Sequence, residues 1–373
     1  MIINEEFIVN EIKTGKNSSH LNDILKKAEN GHGLTGTETS ALFQQLDGKS
    51  LKDALRIAAE LKSRTKGNFA SLYTCLYITN SCVNDCGYCG YRGSNKDLER
   101  ITLTPLQIED EARAILEMGV TNAILIGGTM PEELYKGLIV EGTRRIVKGT
   151  ALSPWIEFEN LSPQTLRHLY EVGARHFVLF QETYNRAKYR RLHSNSPLKG
   201  DYDARLRKVD EAVDSGFRNI GIGALFGLQE NHVFEVLGLY HHAWYLMGRG
   251  VGVCISIPTL KPAPGLSISS HGIEDEELIK IAATLRLALP DVSLALSARE
   301  TTELRNRLFP IIDQIGSGGT PNPGGRTSHK AQYRRGDTQF RLSDTRSPRE
   351  VIEHLATRGI EVKRFVKWQP QLF

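Results

Sequence analysis

The sequence predicts an α/β protein built on a (β/α)8 TIM-type barrel, with a helical extension before the barrel and a second extension after it. From about residue 70, short apolar segments rich in β-formers alternate with amphipathic helix patterns, and eight such segments follow one another. Eight is the number of parallel strands that closes this barrel. Strands that are apolar throughout are typical of a parallel sheet covered on both faces. An open or incomplete barrel is the alternative, because the eighth segment is the weakest.

The elements follow in order along the chain. Three amphipathic helices are predicted first: one over 20–29, one that begins at the capping box Thr35–Glu38, and one over 52–65. The predicted strands are 72–78, 122–127, 155–158, 176–181, 219–224, 252–257, 292–297 and 311–316. We expect three parts: an N-terminal helical segment (1–69), a core barrel (70–290), and a barrel-completing segment with a long loop and a last helix (291–373).

Helix boundaries between the strands are marked by local signals. Thr104 and Ser162 each precede a proline, which gives an N-cap followed by proline at the first helical position. Gly119, Gly173 and Gly216 stand where left-handed residues commonly end helices. The segment 318–346 is rich in Gly, Pro, Asn and Arg and is predicted to be a loop, and Ser347 opens the last helix.

Composition excludes several classes of protein. The 373 residues are 40% hydrophobic and 24% charged, with a net charge of +4, so the chain is globular and gives no reason to expect nucleic acid or a lipid surface as a partner. No apolar run approaches the roughly 20 residues of a membrane span. The first residues lack the basic head and apolar core of a secretory signal. We therefore expect a cytoplasmic protein.

Three of the five cysteines lie within eight positions. Cys82, Cys86 and Cys89 have the spacing Cys-x3-Cys-x2-Cys and follow directly after the first predicted strand. The carboxyl ends of barrel strands are where such enzymes carry their active sites. Three thiolates from one loop can hold three corners of a [4Fe–4S] cluster. The fourth iron is then open to a substrate or cofactor.

The spacing of these three cysteines fits two other kinds of site, a structural zinc site and a redox cysteine pair, less well. A structural zinc site commonly needs four ligands, and no second cysteine pair is present. A redox Cys-x-x-Cys pair does not need a third thiol. Cys75 and Cys254 each lie in an apolar predicted strand and are expected to be small buried side chains.

The cysteine spacing, with Tyr88 before the last cysteine, resembles the signature of the radical S-adenosylmethionine (SAM) superfamily. The resemblance implies one [4Fe–4S] cluster whose open iron binds the amino and carboxylate groups of SAM. One electron from the cluster then cleaves SAM to methionine and a 5′-deoxyadenosyl radical. It also implies a flavodoxin or ferredoxin as electron donor.

Further stretches resemble the branch of aromatic amino acid lyases. They are Ile78–Asn84, Cys86–Arg92, Phe180–Tyr184, Tyr189-x3-His193, Asp201-Tyr202-x2-Arg205-Leu206, Gly221–Leu228, Ser297–Glu300, Pro323–Gly325 and Asp344–Ser347. The similarity as a whole extends from about residue 30 to the end of the chain.

The resemblance implies a role for several residues in cofactor binding. Tyr88 would contact the adenine of SAM, and the turn Gly127-Gly128-Thr129 would bind its amino group. Thr129 stands where an acid is usual in the superfamily. An ordinary strand-end turn is the alternative for this segment.

Two acids and one arginine are also assigned to the cofactor. Glu157 is preferred over Glu159 as the residue that holds the ribose hydroxyls. Glu182 would meet the amino group of SAM or of the substrate, so it counts as both cofactor-binding and catalytic, and Arg205 is assigned to cofactor binding. For each acid, a salt bridge to a nearby arginine is the alternative.

Arg299 and Ser317 are the predicted substrate-binding pair. They are eighteen residues apart at the ends of the last two predicted strands, a spacing with which the tryptophan-lyase relative grips the carboxylate of its substrate. A planar guanidinium binds a carboxylate bidentately. The alternative for Arg299 is a surface pair with Glu300 or Glu303. For His193 we expect a structural hydrogen bond rather than a role in proton transfer.

The chain also departs from the branch. It has no cysteine after Cys254, which argues against a synthase of carbon monoxide and cyanide with a second cluster. The segment Pro258–Pro262 has Thr259 and Lys261 where the branch commonly has arginines. With Thr129, these departures put the thiamine-pathway tyrosine lyase in doubt.

Three functions are therefore compared. The first is a radical SAM lyase that removes hydrogen from an amino acid, expected to be aromatic, and breaks a carbon–carbon bond next to its α-carbon. The second is a maturase for a metal cofactor, such as the pyridinol cofactor of the iron-only hydrogenase. The third is a non-catalytic iron–sulfur carrier, which would need none of the polar residues at the strand ends.

Overall fold

Eight parallel strands close into one barrel. The structure is a computed structural model and describes residues 3–18, 20–263, 272–327 and 338–364. The strands are β1 (Phe69–Thr79), β2 (Asn122–Gly127), β3 (Ser153–Glu157), β4 (His176–Val178), β5 (Asn219–Gly223), β6 (Gly252–Ser256), β7 (Ser293–Leu296), β8 (Gln314–Gly316) and β9 (Glu361–Val362). β1 pairs with both β2 and β8, so the ring is complete and the predicted (β/α)8 barrel is confirmed. β9 pairs with the start of β1 outside the ring.

Helices surround this ring. They are α1 (Glu5–Lys16), α2 (Leu21–Glu29), α3 (Gly36–Gln45), α4 (Gly48–Lys66), α5 (Pro105–Glu117), α6 (Glu132–Gly149), α7 (Pro163–Glu171), α8 (Arg186–Leu192), α9 (Tyr202–Asp214), α10 (His232–Gly248), α11 (Asp275–Ala288), α12 (Thr302–Leu308) and α13 (Pro348–Thr357), with a 3-10 turn at Phe309–Ile311. Among these described residues, no helix combines the length and the apolar character that crossing a membrane requires.

The N-terminal segment has four helices rather than the three predicted. The additional helix, α1, is capped by Asn4, whose side chain accepts a hydrogen bond from Phe7 N at 3.1 Å. Its buried Glu11 contacts Nε2 of His241 on α10 at 2.6 Å. Many residues of α1 are polar. The apolar periodicity of this segment was therefore too weak to predict a helix.

The capping and glycine signals mark helix boundaries where predicted, but α4 begins at Gly48, four residues before the predicted start at 52. Thr35 and Thr104 form capping boxes, and the Ser162 hydroxyl accepts a hydrogen bond from Thr165 N. Gly119 and Gly173 have φ angles of 84° and 117°, in the left-handed region that favours glycine. The part 328–337 of the predicted loop lies outside the described residues.

A layer of inward-facing side chains fills the barrel axis. It contains Tyr73, Ile124, Trp155, Val178, Cys254 and Ala295, one from each of six strands. The rings of Tyr73 and Trp155 stack with their centroids 5.7 Å apart. This layer forms the floor of a cavity that opens at the carboxyl ends of the strands.

Strand β4 is shorter than the predicted 176–181. Beyond Val178 the backbone still pairs with β5, since Leu179 N donates to Gly221 O and Gln181 N donates to Gly223 O, both at 2.9 Å. The chain then turns at Glu182, whose φ of 69° makes it the single non-glycine residue with a left-handed backbone among those described. The turn places the Glu182 carboxylate at the barrel mouth.

Candidate active site

A deep cavity lies at the carboxyl ends of the barrel strands. Its wall includes eleven of the twelve residues that the sequence analysis assigned to the site: Cys82, Cys86, Tyr88, Cys89, Gly127, Gly128, Thr129, Glu157, Glu182, Arg299 and Ser317. The remaining wall is mostly apolar or aromatic. The structure thus brings together residues that are far apart in the sequence.

Each of the three cysteine sulfurs accepts hydrogen bonds from nearby groups. Thr129 N lies 3.4 Å from Cys82 Sγ, and Ser196 Oγ lies 3.7 Å from Cys86 Sγ. Nε2 of Gln339 lies 3.7 Å from Cys89 Sγ. Burial raises the pKa of all three thiols, although these donors oppose the shift. Donors aimed at sulfur suit thiolates that bind iron, because they stabilise negative charge on the ligand.

The arrangement fits a cluster rather than one ion. Within the described residues, no three His, Cys, Asp or Glu side chains converge on a single metal position. In a [4Fe–4S] cube each cysteine binds a different iron, so the sulfurs need not converge. The residues present therefore fit the cluster that the spacing predicts.

The glycines after β2 allow the cysteine loop (residues 80–93) to approach closely. A Cβ at Gly128 would collide with Ser81 O and would lie 2.9 Å from Cys82 Cβ, and one at Gly127 would lie 2.8 Å from Thr79 O. Gly128 N also donates to Thr79 O at 3.0 Å. Contact with the end of β1 requires glycine at 127, and contact with the cysteine loop requires glycine at 128, whatever these residues do for a ligand.

Glu159 lies behind the cavity wall and joins three elements. Its Oε1 accepts hydrogen bonds from Thr129 Oγ1 at 2.6 Å and from Asn84 Nδ2 at 2.9 Å. Its Oε2 forms an ion pair with Arg205, and both side chains are less than 10% exposed, at 8% and 6%. Glu159 therefore connects the cysteine loop, the turn after β2 and helix α9.

Arg205 does not border the cavity, in contrast to the other predicted site residues. Its guanidinium is paired with Glu159, lies 3.3 Å from Glu182 Oε1, and donates through Nε to Phe180 O at 2.6 Å. Burial lowers its pKa. With its donors occupied by protein groups, Arg205 is placed to position Glu182 rather than to contact a ligand.

Lys199 is a site residue that the sequence analysis missed. Its Nζ lies 2.7 Å from Glu182 Oε1 and 5.7 Å from the centre of the Tyr88 ring. Burial lowers the pKa of Lys199, but the Glu182 carboxylate outweighs this and holds it well above its ordinary value. Lys199 lies in an irregular loop, where neither periodicity nor spacing marks a functional residue.

Glu157 ends β3 with its carboxyl group in the cavity. Burial and the nearby Glu182 carboxylate raise its pKa to about 8. Within the described chain, no hydrogen bond or ion pair engages this carboxyl, in contrast to Glu159. Of the two acids, Glu157 is the one available to a ligand.

Tyr88 is fixed by His193. The Tyr88 hydroxyl lies 2.8 Å from His193 Nε2, and His193 Nδ1 lies 2.9 Å from Tyr189 O. Since a carbonyl can only accept, Nδ1 carries the proton and Nε2 accepts from Tyr88. Burial lowers the pKa of His193 to about 3, so the ring is neutral. His193 therefore has the structural hydrogen bond that was expected.

Arg299 and Ser317 both lie in the cavity wall. The Arg299 guanidinium packs 3.3 Å from the centre of the Phe340 ring, and Glu300 is engaged by Lys261 Nζ at 3.0 Å instead. The Ser317 hydroxyl is buried and has no hydrogen-bond partner among the described residues. A buried hydroxyl without a partner is costly. A ligand that accepts hydrogen bonds from both residues would remove that cost.

The comparisons with known proteins agree with this geometry. The Radical SAM superfamily model matches residues 76–239, and the Biotin and Thiamin Synthesis associated domain matches residues 256–361. The chain is 29% identical over 346 residues to 2-iminoacetate synthase of Escherichia coli strain K12, covering 90% of this chain and 88% of the relative.

Two solved structures share the fold and 30% sequence identity with the chain. One is HydG, a maturase of the [FeFe]-hydrogenase, with a TM-score of 0.90 over 98% of this chain and 81% of the other. The other is HydG from Carboxydothermus hydrogenoformans, with a TM-score of 0.85 over 96% of this chain and 84% of that one. Family membership implies a [4Fe–4S] cluster and SAM as cofactors. The chain thus belongs to the radical SAM superfamily, among the enzymes of tyrosine-lyase type that include 2-iminoacetate synthase and HydG.

Proposed function

We propose that the chain is a radical SAM lyase that acts on a free aromatic amino acid and uses one [4Fe–4S] cluster. When bound, the cluster and SAM supply a 5′-deoxyadenosyl radical that removes a hydrogen atom from the substrate. The pair Arg299 and Ser317 is the observation that supports an amino acid, which has a carboxylate, as the substrate. A guanidinium without a carboxylate partner and a buried hydroxyl without any partner, both among the described residues, face one cavity.

The cysteines would hold the cluster. Cys82, Cys86 and Cys89 lie in one loop with hydrogen-bond donors at each sulfur. Cys75 and Cys254 lie in strands β1 and β6, where burial raises the pKa of Cys75 to about 12 and that of Cys254 further. Since a metal-binding thiol must lose its proton, these two are poor ligands. The five cysteines of the sequence therefore support one cluster.

The SAM site would be built from the residues between the cysteine loop and strand β4. Thr129 and Glu182 would accept hydrogen bonds from the amino group, Glu157 would hold the ribose hydroxyls, and Tyr88 would contact the adenine. Arg205 and Lys199 hold the Glu182 carboxylate in place. A carboxylate held near a cationic group at 2.7 to 3.3 Å needs little reorganisation when a ligand arrives.

The substrate would lie against strands β7 and β8. Arg299 would bind its carboxylate bidentately, with Ser317 as a second donor. Phe340 supports the guanidinium from one face and prevents it from turning away. The apolar and aromatic wall excludes water from the reacting atoms, which protects a radical from side reactions.

The test is anaerobic. The cluster is reconstituted, dithionite and SAM are added, and 5′-deoxyadenosine is quantified without substrate, with tyrosine and with tryptophan. We expect a clear rise with one amino acid, together with release of its aromatic side-chain fragment. The variant Arg299→Gln, run in parallel, should keep the small yield seen without substrate and lose the rise.

A maturase acting on a different substrate is the second candidate, and the 23% identity to the [FeFe] hydrogenase maturase subunit HydE of Thermotoga maritima, over 73% of this chain, supports it. This candidate predicts a yield of 5′-deoxyadenosine that neither tyrosine nor tryptophan changes. That result would overturn the lyase on aromatic amino acids but keep the cluster and SAM. Because the family assignment makes the chain an enzyme, the non-catalytic carrier is not retained.

A further inference from the structure

The segment 338–342 lies directly on the cysteine loop. Gly90 N donates to Gln339 O at 3.1 Å. A Cβ at Gly90 would collide with Thr338 O and would lie 2.9 Å from Gln339 O. The two backbones are therefore in contact at a place where only glycine fits. The next residue, Phe340, carries the Arg299 guanidinium on its ring.

The side chain of Gln339 bridges a cysteine and a tyrosine. Its Nε2 lies 3.7 Å from Cys89 Sγ, and its Oε1 accepts a hydrogen bond from the Tyr77 hydroxyl at 2.6 Å. Tyr77 is 3% exposed and keeps its proton, because burial raises its pKa well above the ordinary value. Since the hydroxyl donates to the amide oxygen, the amide nitrogen must face the sulfur.

We propose that Gln339 is a positioning residue that sets the reduction potential of the cluster through Cys89, with Tyr77 fixing the direction of its amide. The proposal rests on the proposed function, in which Cys89 binds one iron. Reduction adds negative charge to the cluster and its thiolates. An N–H donor at a ligand sulfur stabilises the reduced form more than the oxidised form and so raises the potential.

The three sulfurs differ in where their donors come from. Cys82 accepts from the backbone nitrogens of Thr129 and Asn84, and Cys86 accepts from Ser196. Cys89 accepts from the Tyr91 backbone and from Gln339. Gln339 is thus a donor from a distant segment, 250 residues further along the chain. Its removal leaves the cysteine loop's own donors in place.

The test is a redox titration of the reconstituted full chain, monitored by the electron paramagnetic resonance of the reduced cluster in the absence of SAM. Gln339→Met keeps the length of the side chain and removes the donor. We expect its potential to be more negative than that of the wild type. Tyr77→Phe should shift the potential in the same direction by less, and adding it to Gln339→Met should change nothing further. Ser343→Ala, at the residue that follows this segment, should match the wild type.

The iron and sulfide content of each variant shows whether a negative result comes from a lost cluster or from an unchanged reduction potential. Gln339→Met with a full cluster and the wild-type potential would overturn the proposal. If Gln339→Met loses iron, Tyr77→Phe decides: a negative shift supports the proposal, and an unchanged potential overturns it. If the wild-type chain assembles no cluster, the proposed function fails, and the inference fails with it.

Discussion

The Oγ1 atom of Thr129 donates a hydrogen bond of 2.6 Å to Oε1 of Glu159, a carboxylate that lies behind the cavity wall. This bond takes up the only proton of the hydroxyl, so the free lone pairs of Thr129 can only accept. A hydroxyl that donates to a carboxylate is also a stronger acceptor, because hydrogen bonds in a chain polarise one another. Thr129 is therefore suited to an ammonium group although it has no charge of its own.

Replacing Thr129 tests this relationship. Thr129→Val keeps the shape of the side chain and removes the acceptor, so we expect SAM to bind about tenfold more weakly, which corresponds to ~1.4 kcal/mol. Iron content should not change, because Thr129 contacts Cys82 through its backbone nitrogen. Equilibrium dialysis of labelled SAM against the reconstituted protein measures the effect. Thr129→Ser is the matched control and should bind SAM nearly as the wild type does. Equal affinity of the valine variant would show that Thr129 does not contact SAM.

Glu157 should make the unloaded protein less stable at high pH. Its pKa is about 8 in the folded chain against an ordinary value of 4.5, so folding favours the protonated form. The stability that this preference contributes is complete below about pH 4.5 and is lost as pH rises to about 8. We expect a loss of ~2 kcal/mol across this range, less than the full shift implies because the Glu157 side chain is partly exposed.

Urea unfolding of the cluster-free chain at about pH 5.5 and about pH 8 measures this loss. Glu157→Gln removes the titrating group, so the difference between the two pH values should shrink by the amount assigned to Glu157. At the higher pH the variant should be the more stable of the two proteins. An unchanged difference would contradict the assigned pKa.

Much of the fold could be predicted from local signals. The capping box at Thr35 and the glycine ends at Gly119 and Gly173 depend on residues a few positions apart, and they predicted helix boundaries correctly. Strand β2 matched its predicted bounds of 122–127 because its apolar run is sharply delimited. Helix α1 was missed because its apolar periodicity is weak, and its contact through Glu11 with His241 exists only in the folded chain.

Residues of the site could be predicted from the sequence only where their spacing along the chain follows a recognisable pattern. Cys82, Cys86 and Cys89 form a fixed pattern in the sequence, and this pattern led to the other residues through resemblance. Lys199 could not be found in this way, because its role follows from the ion pair with Glu182. Gln339 lies in the predicted loop 318–346, where no pattern marks it, and it meets Cys89 only in the folded chain.

Arg299 should control substrate binding without affecting SAM. Arg299→Lys keeps the charge but loses the planar fork and the stacking on Phe340. We expect the amino acid concentration that gives half of the maximal rise in 5′-deoxyadenosine to increase by at least about tenfold. Ser317→Ala should raise it about tenfold, since one hydrogen bond to the carboxylate is lost. The yield without amino acid should stay the same in both variants. If Arg299→Lys binds substrate as well as the wild type, the carboxylate lies elsewhere.

Gly128 should be essential for holding the cluster. In Gly128→Ala the new Cβ would collide with Ser81 O and approach Cys82 Cβ to 2.9 Å. The first of these contacts is with backbone, which a side-chain rotation cannot relieve, so the cysteine loop must shift. A displacement of Cys82 moves one ligand out of place, and we expect iron content after reconstitution to fall several-fold.

Gly137 provides the matched control for this substitution. It lies in helix α6, and a Cβ there meets nothing within 4 Å. Gly137→Ala should keep full iron content and stabilise the chain by about 0.5–1 kcal/mol through its helix propensity. Iron analysis and urea unfolding of the two variants separate a local effect on Cys82 from a general effect of glycine replacement. If Gly128→Ala binds iron as the wild type does, the cysteine loop tolerates a shift at Ser81, and the tight contact with β2 is not what fixes the first ligand.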